Sequence, residues 1–186
     1  PMYTILFLIR ADTYRYSGSR SIKSCIRSYL RIPGFRFMVW HRIAHSYKFK
    51  GSCLYLLPWL VLSRLKYKYG FDIPAETVIG KGFYIGHFGG VVISPRARIG
   101  CNCNISQGVT IGFSSRGARK GYPIIGNNVY IGPGVKIIGK VRIGNNAAIG
   151  ANAVVLTDVP DNGVAVGIPA KVISLKGAGE YILNYL

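Results

Sequence analysis

From Val78 onward an aliphatic residue returns at every sixth position. It stands at Ile79 and Ile85, then at Ile93, Ile99, Ile105 and Ile111, then at Ile125, Ile131, Ile137, Ile143, Ile149 and Val155. Glycine follows most of these, as Gly80, Gly86, Gly100, Gly112, Gly126, Gly132, Gly144 and Gly150. A six-residue beat is neither the alternation of an ordinary strand nor the 3.6-residue turn of a helix. It marks a parallel β-helix, in which each hexapeptide is a short strand plus a turn and three of them close one triangular coil. Stacked coils set aliphatic on aliphatic in a continuous dry core. Glycine and asparagine suit corners that need positive φ. Residues 72–166 make about five coils of roughly 18 residues, a prism about 25 Å long at about 4.8 Å per coil. A β-sandwich would not hold one register through six consecutive beats.

Two interruptions break the beat. Ile85 to Ile93 is eight residues and contains Gly86-His87-Phe88-Gly89-Gly90. Ile111 to Ile125 is fourteen residues and contains Phe113-Ser114-Ser115-Arg116-Gly117-Ala118-Arg119-Lys120-Gly121-Tyr122. A repeat protein places insertions on its surface, often on the binding face.

The chain divides near Tyr69–Gly70. Residues 1–70 hold 13 Lys+Arg and a single acid, Asp12, whereas residues 71–186 hold 11 basic and 5 acidic residues. We read residues 1–70 as a basic, aromatic-rich helical region, 71–170 as the β-helix and 171–186 as a C-terminal tail. Three helices are expected in the first region: Ser19 to Tyr29, opened by a Ser cap and ended by Pro33–Gly34; Phe35 to Tyr47; and Leu54 to Tyr69. In the middle one Phe37, Trp40, Ile43 and Ala44 form the apolar stripe, with Arg36, His41 and Arg42 off it. His41 and His45 stand at i, i+4, where we expect packing or surface roles. Two readings of the region stay open: a cap whose aromatics pack on the core, or an interfacial unit lying on an anionic membrane.

The longest apolar run, Cys53 to Leu62, is broken by Pro58 and is too short to span a bilayer, which takes about 20 residues. Cys25, Cys53, Cys101 and Cys103 form no C-x-x-C pair, and there are three histidines, so no metal site is expected. Nor do the cysteines suggest a secreted disulfide framework, which points to the cytoplasm, at most peripheral at the inner membrane face. Basic charge with aromatics raises nucleic-acid binding, but no nucleic-acid motif is present.

The segments F-D-I-P-A-E-T-V-I-G-K-G-F-Y-I-G-H-F-G-G-V-V-I, N-I-S-Q-G-V-T-I-G, I-G-P-G-V-K-I-I-G-K-V-R-I-G-N-N-A-A-I-G-A-N-A-V-V and V-G-I-P-A-K-V-I resemble the hexapeptide-repeat acyltransferases. Within these the chain is most similar to the serine acetyltransferase-like branch, closest to polysaccharide-biosynthesis O-acetyltransferases of the colanic-acid type. The resemblance covers about residues 70–175. It implies a left-handed β-helix, a homotrimer, and acetyl transfer from acetyl-CoA to a hydroxyl. Position by position, it puts the catalytic histidine on His87 and its orienting aspartate on Asp72. A histidine is suited to take the proton of an attacking hydroxyl at neutral pH, and a carboxylate on its other nitrogen fixes the tautomer. The resemblance also implies a CoA groove with small residues at Gly132, Gly150 and Ala151, and Lys171 set to meet CoA phosphates.

The departures from the branch point to the acceptor. The acid that precedes the histidine in serine acetyltransferases is Gly86 here. Their Asp-Arg-His-Pro run is Lys120-Gly121-Tyr122-Pro123. Without an acid, a zwitterion's ammonium is costly to bury. This favours a sugar hydroxyl in surface polysaccharide synthesis, with Tyr84 and Tyr122 stacking on the ring and Arg116, Arg119 or Lys120 meeting acidic groups. The alternative is serine O-acetylation for cysteine biosynthesis.

Overall fold

The six-residue beat becomes three parallel sheets wound round one core. The computed structural model describes residues 4–49 and 53–186. Four helices come first, α1 (Ile5–Ser17), α2 (Ile22–Arg31), α3 (Pro33–Phe49) and α4 (Leu56–Tyr69), followed by the strands of a left-handed β-helix. Face I stacks β1 (Phe71–Asp72), β4 (Val91–Ile93), β7 (Thr110–Gly112), β10 (Lys136–Ile138) and β13 (Val154–Val155). Face II stacks β2 (Val78–Ile79), β5 (Arg98–Ile99), β8 (Ile124–Ile125) and β11 (Arg142–Ile143). Face III stacks β3 (Tyr84–Ile85), β6 (Asn104–Ile105), β9 (Tyr130–Ile131), β12 (Ala148–Ile149) and β14 (Val164–Gly167), with β15 (Ala170–Ser174) added antiparallel. The five strands of face I are the five expected coils.

The register reproduces the beat. Ile93, Ile111, Ile137 and Val155 are successive partners on face I. Ile79, Ile99, Ile125 and Ile143 are partners on face II, and Ile85, Ile105, Ile131 and Ile149 on face III. All of these side chains are buried.

Two corners of the prism carry a regular column of positive-φ residues. Between faces II and III stand Gly82, Asn102, Asn128, Asn146 and Asn162; between faces III and I stand Gly90, Gly108, Gly134 and Asn152. Along the first of these the Asn side chains bond one another, Asn102 Nδ2 donating to Asn128 Oδ1 at 3.1 Å and Asn128 Nδ2 to Asn146 Oδ1 at 2.9 Å. The glycines that follow the aliphatic residues serve a different end: a Cβ on Gly100 would lie 2.5 Å from Gly126 O, and one on Gly144 would lie 2.4 Å from Asp161 N. They are small because the next coil lies on top of them.

The helices close the first coil, whose edge would otherwise expose unpaired backbone groups. Asp12 and Arg42 form a buried bidentate pair, Nε to Oδ2 at 2.9 Å and Nη2 to Oδ1 at 3.1 Å. Asp12 Oδ1 also accepts from Gly82 N at 2.8 Å and Phe83 N at 3.1 Å, while Arg42 Nη2 donates to Gly80 O at 2.6 Å. Arg15 Nε donates to Gly82 O at 3.0 Å, and the Tyr16 hydroxyl accepts from Ile85 N at 2.7 Å. His41 Nε2 lies 3.0 Å from Pro74 O, and His45 Nδ1 lies 2.8 Å from Ala75 O. Burial, with the Arg42 charge behind it, pushes the His41 imidazole down to about 3. Both histidines therefore pack against the prism.

Three expectations change. The buried side of the middle helix is wider than the expected stripe: His41 and Arg42 are buried with Phe37, Met38 and Ala44, Trp40 is half-buried against the core, and Ile43 lines an outer groove. The backbone oxygens of an open coil recruit the polar residues inward. The Ser cap is Ser21, which accepts from Ser24 N at 3.2 Å, and Pro33 begins α3 rather than only ending α2. A proline at the first helical position loses no intrahelical bond. The apolar stretch after Thr4 is a full helix, capped by Thr4 and ended by Gly18 at φ 66.

The last segment folds back on face III. Tyr181 stacks on Tyr130 at 4.5 Å, Ile182 is buried with Ala148 and Ala178, and Asn184 Nδ2 donates to Arg15 O at 3.4 Å. Among the described residues no helix is long and apolar enough to cross a membrane.

Candidate active site

The first insertion leaves the prism at the corner between faces III and I. Where the next coil passes from inward Ile105 to inward Val109, this one passes from Ile85 to Val91, two residues more. The excess is expelled as His87 and Phe88, both exposed, Phe88 at 64%. The loop's return is stitched down: Gly89 N donates to Tyr69 O at 3.0 Å, Val91 N to Gly70 O at 3.0 Å, and Gly89 O accepts from Gly108 N at 2.9 Å. A Cβ on Gly70 would lie 3.2 Å from Gly90 N. The loop thus lies against the junction of α4 and β1, where Asp72 stands on face I in register with Val92.

Within one chain Asp72 and His87 do not bond. Asp72 Oδ1 is held 2.7 Å from Lys66 Nζ, both side chains being partly exposed. The spacing of the repeat carried no sign of Lys66, which reaches Asp72 from the last turn of α4. Cys103 is fully buried, and that burial pushes its thiol up to about 12.

The residues assigned to CoA line up with His87. Gly132, Gly150 and Ala151 lie at the same corner, in the turns that lead from β9 to β10 and from β12 to β13. Lys171 follows on β15, exposed and opposite Val166. From the His87 loop to the end of the last coil is four coil steps, about 19 Å at the usual strand spacing. This edge suits a long amide-rich arm, for it presents small residues and backbone at each coil. Gly132 has a structural duty as well, because a Cβ there would lie 2.9 Å from Ile149 O.

The residues assigned to the acceptor divide between corners. Tyr84 belongs to face III, where Tyr16 covers its ring at 4.4 Å. The second insertion leaves between faces I and II, on the other side of face I. It closes on an antiparallel bridge, Ser114 N to Gly121 O at 3.1 Å and Gly121 N to Ser114 O at 3.0 Å. Tyr122 stacks on Phe113 at 4.7 Å, and the Arg96 guanidinium lies over the Tyr122 ring, 5.8 Å from its centre. Arg119 is an anchor, Nη1 donating to Leu156 O at 2.8 Å. Arg116 and Lys120 project from the exposed tip. One chain therefore does not bring Tyr84 and Tyr122 to one ring, because the helical cap claims Tyr84. Among the described residues there is no group of three or more His, Cys, Asp or Glu that could hold a metal ion.

Comparison with known proteins gives the class and then the family. The family described as "Bacterial transferase hexapeptide (six repeats)" matches residues 122–157, so the prism is that of the hexapeptide transferases. A serine acetyltransferase of Bacillus pumilus is 38% identical over 156 residues, 83% of this chain and 70% of the relative, and one of Staphylococcus xylosus is 41% identical over 162 residues, 86% and 72%. The crystal structure of Neisseria gonorrhoeae serine acetyltransferase in complex with serine matches with a TM-score of 0.77 at 33% identity, over 91% of this chain and 69% of that one. The chain belongs to the serine acetyltransferase family of hexapeptide acyltransferases. It spans 59% of the length of a further relative, the serine acetyltransferase of Synechococcus elongatus, to which it is 40% identical over 145 residues, 78% of this chain. A Brucella abortus member in complex with coenzyme A matches with a TM-score of 0.75 at 28% identity, over 91% of this chain and 66% of that one.

These relatives overturn the expected glycan acceptor and its place in polysaccharide synthesis, since they are serine acetyltransferases. That expectation rested on a few loop residues. Two of them are occupied structurally here: Arg119 ties the loop to Leu156, and Tyr122 contacts Phe113 and Arg96. They report how the loop is anchored.

Proposed function

We propose that this protein transfers the acetyl group of acetyl-CoA to the hydroxyl of serine, with His87 as general base. The observation that carries the reading is the single edge shared by the His87 loop and the turns of Gly132, Gly150 and Ala151. Acetyl-CoA lies along that edge with its thioester at His87 and its phosphates toward Lys171. His87 takes the serine hydroxyl proton as the oxygen attacks the thioester carbonyl. The tetrahedral intermediate collapses with loss of the CoA thiolate, which regains the proton from the imidazolium. Asp72, which pairs with Lys66 in the single chain, turns to His87 and orients it, and Arg116 and Lys120 of a neighbouring subunit supply positive charge for the serine carboxylate.

The protein acts as a homotrimer in this reading. Face III is covered by the chain's own Tyr16, Tyr181 and Ile182, whereas the edge beside His87 leaves Phe88 and Ile168 exposed at 64% and 74%. A neighbouring prism set on that edge covers them and closes the site. Thiol release from acetyl-CoA, followed with and without L-serine, tests the function. Serine-dependent release is expected. Release no faster than hydrolysis, from protein that binds CoA, would overturn the acceptor. A sedimentation mass of one subunit for active protein would overturn the trimer.

A further inference from the structure

We propose that the outer face of the helical cap is an interfacial surface that seats this protein on an anionic lipid bilayer. Three helices build it. On α2, Ile22, Ile26 and Leu30 recur every fourth residue and are 70%, 56% and 65% exposed. Lys23, Arg27 and Arg31 form the adjoining exposed stripe, and the buried Ser28 lies opposite. On α4, Leu57, Leu60 and Trp59 are exposed and are followed by exposed Arg64, Tyr67 and Lys68. Between α3 and the start of α4, Trp40, Ile43 and Tyr47 face Leu56, Leu57 and Leu60 across an open apolar groove of about 530 Å³. The helices are joined on this side: Trp40 Nε1 donates to Tyr29 Oη at 2.9 Å, and Arg36 bonds Tyr29 O at 2.7 Å and Tyr69 Oη at 2.7 Å. The opposite side of α3 grips the first coil, so the apolar face points away from the prism.

Charge selects the occupant. Residues 1–70 contain one acid, Asp12, and it is buried against Arg42. Every exposed charge of the described cap is therefore positive. A second copy packed face to face would set the same cations against each other with no acid between them. A nucleic-acid backbone would meet the cations and leave the leucines in water. An anionic bilayer satisfies both, taking leucine and tryptophan into the headgroup boundary and lysine and arginine into the phosphates.

Full-length protein is mixed with vesicles of phosphatidylglycerol and phosphatidylcholine, with pure phosphatidylcholine vesicles, and with a DNA duplex. It is expected to pellet with the anionic vesicles at low salt and to be released in 1 M salt, where the screening length is about 3 Å. Two variant pairs, Leu57→Asp with Leu60→Asp and Arg27→Glu with Arg31→Glu, should each weaken vesicle binding about tenfold or more. Sedimentation mass and serine-dependent thiol release should stay at wild-type levels, which separates this surface from the acetyl-transfer reading. Four results would each overturn the proposal: no pelleting at low salt, variants that pellet like wild type, variants whose mass falls, or duplex binding as tight as vesicle binding.

Discussion

The prism and its helical cap hold together by opposite means. In the prism, one residue type repeats at one spacing, and each coil buries its aliphatic residue on the last. Backbone bonds are passed from coil to coil, and polar side chains stand at the corners or on the outer side of the strands. In the cap, a carboxylate, two guanidiniums and an imidazole are buried and a phenol is half-buried, and each answers a backbone group on the first coil. A stacked coil terminates its neighbour with its own backbone. The first coil has no such neighbour, and side chains from α1 and α3 stand in for the missing strand edge.

If that contrast is right, the largest loss of stability comes from the cap. Asp12→Ala leaves the Arg42 charge buried and unpaired and strips two backbone N–H groups of their acceptor, so about 3–5 kcal/mol should go, read as a lowered denaturant midpoint. In the prism the sensitive positions are the steric ones. Gly100→Ala drives a methyl toward Gly126 O and should cost about 1–3 kcal/mol in the same measurement. A cost as large as that of Asp12→Ala would erase the distinction.

A smaller effect sharpens the comparison through pH. The His41 proton affinity is lowered on folding, so the unfolded chain takes up the proton first as pH falls. Stability is therefore full above about pH 6.5 and declines toward the folded value of about 3. At pH 5.5 one unit has been crossed, and about 1 kcal/mol should be gone. His41→Gln should flatten the decline between pH 6.5 and 5.5, as seen in thermal midpoints. An unchanged slope would remove His41 from the cap's pH response.

The prism was legible in the sequence because its determinant is periodic. Ile79 to Val155 could be assigned to the core by counting, and the eight- and fourteen-residue gaps located both insertions. The cap was not, because its determinants are long-range. Asp12 bonds partners 30 and 70 residues away, and no local pattern signals that Arg42 turns inward. The one local signal was Asp12 itself, a lone acid among 13 cations, which a buried pair explains. In the site, the eight-residue gap placed His87 in a surface insertion. The Lys66 contact to Asp72 and the Tyr16 cover on Tyr84 depend on how α4 and α1 dock, and they appear only in three dimensions. The acceptor was misread for a related reason: loop residues that hold the loop in place were taken as ligands.

The central claim is that His87 does the chemistry while the edge beyond it binds CoA. It is tested most directly by measuring turnover and CoA affinity on the same His87→Ala protein. Serine-dependent thiol release should fall about 10²–10⁴-fold, as expected for loss of a general base, while the Kd for CoA and the thermal midpoint stay those of the wild type. Wild-type turnover by His87→Ala would contradict the account.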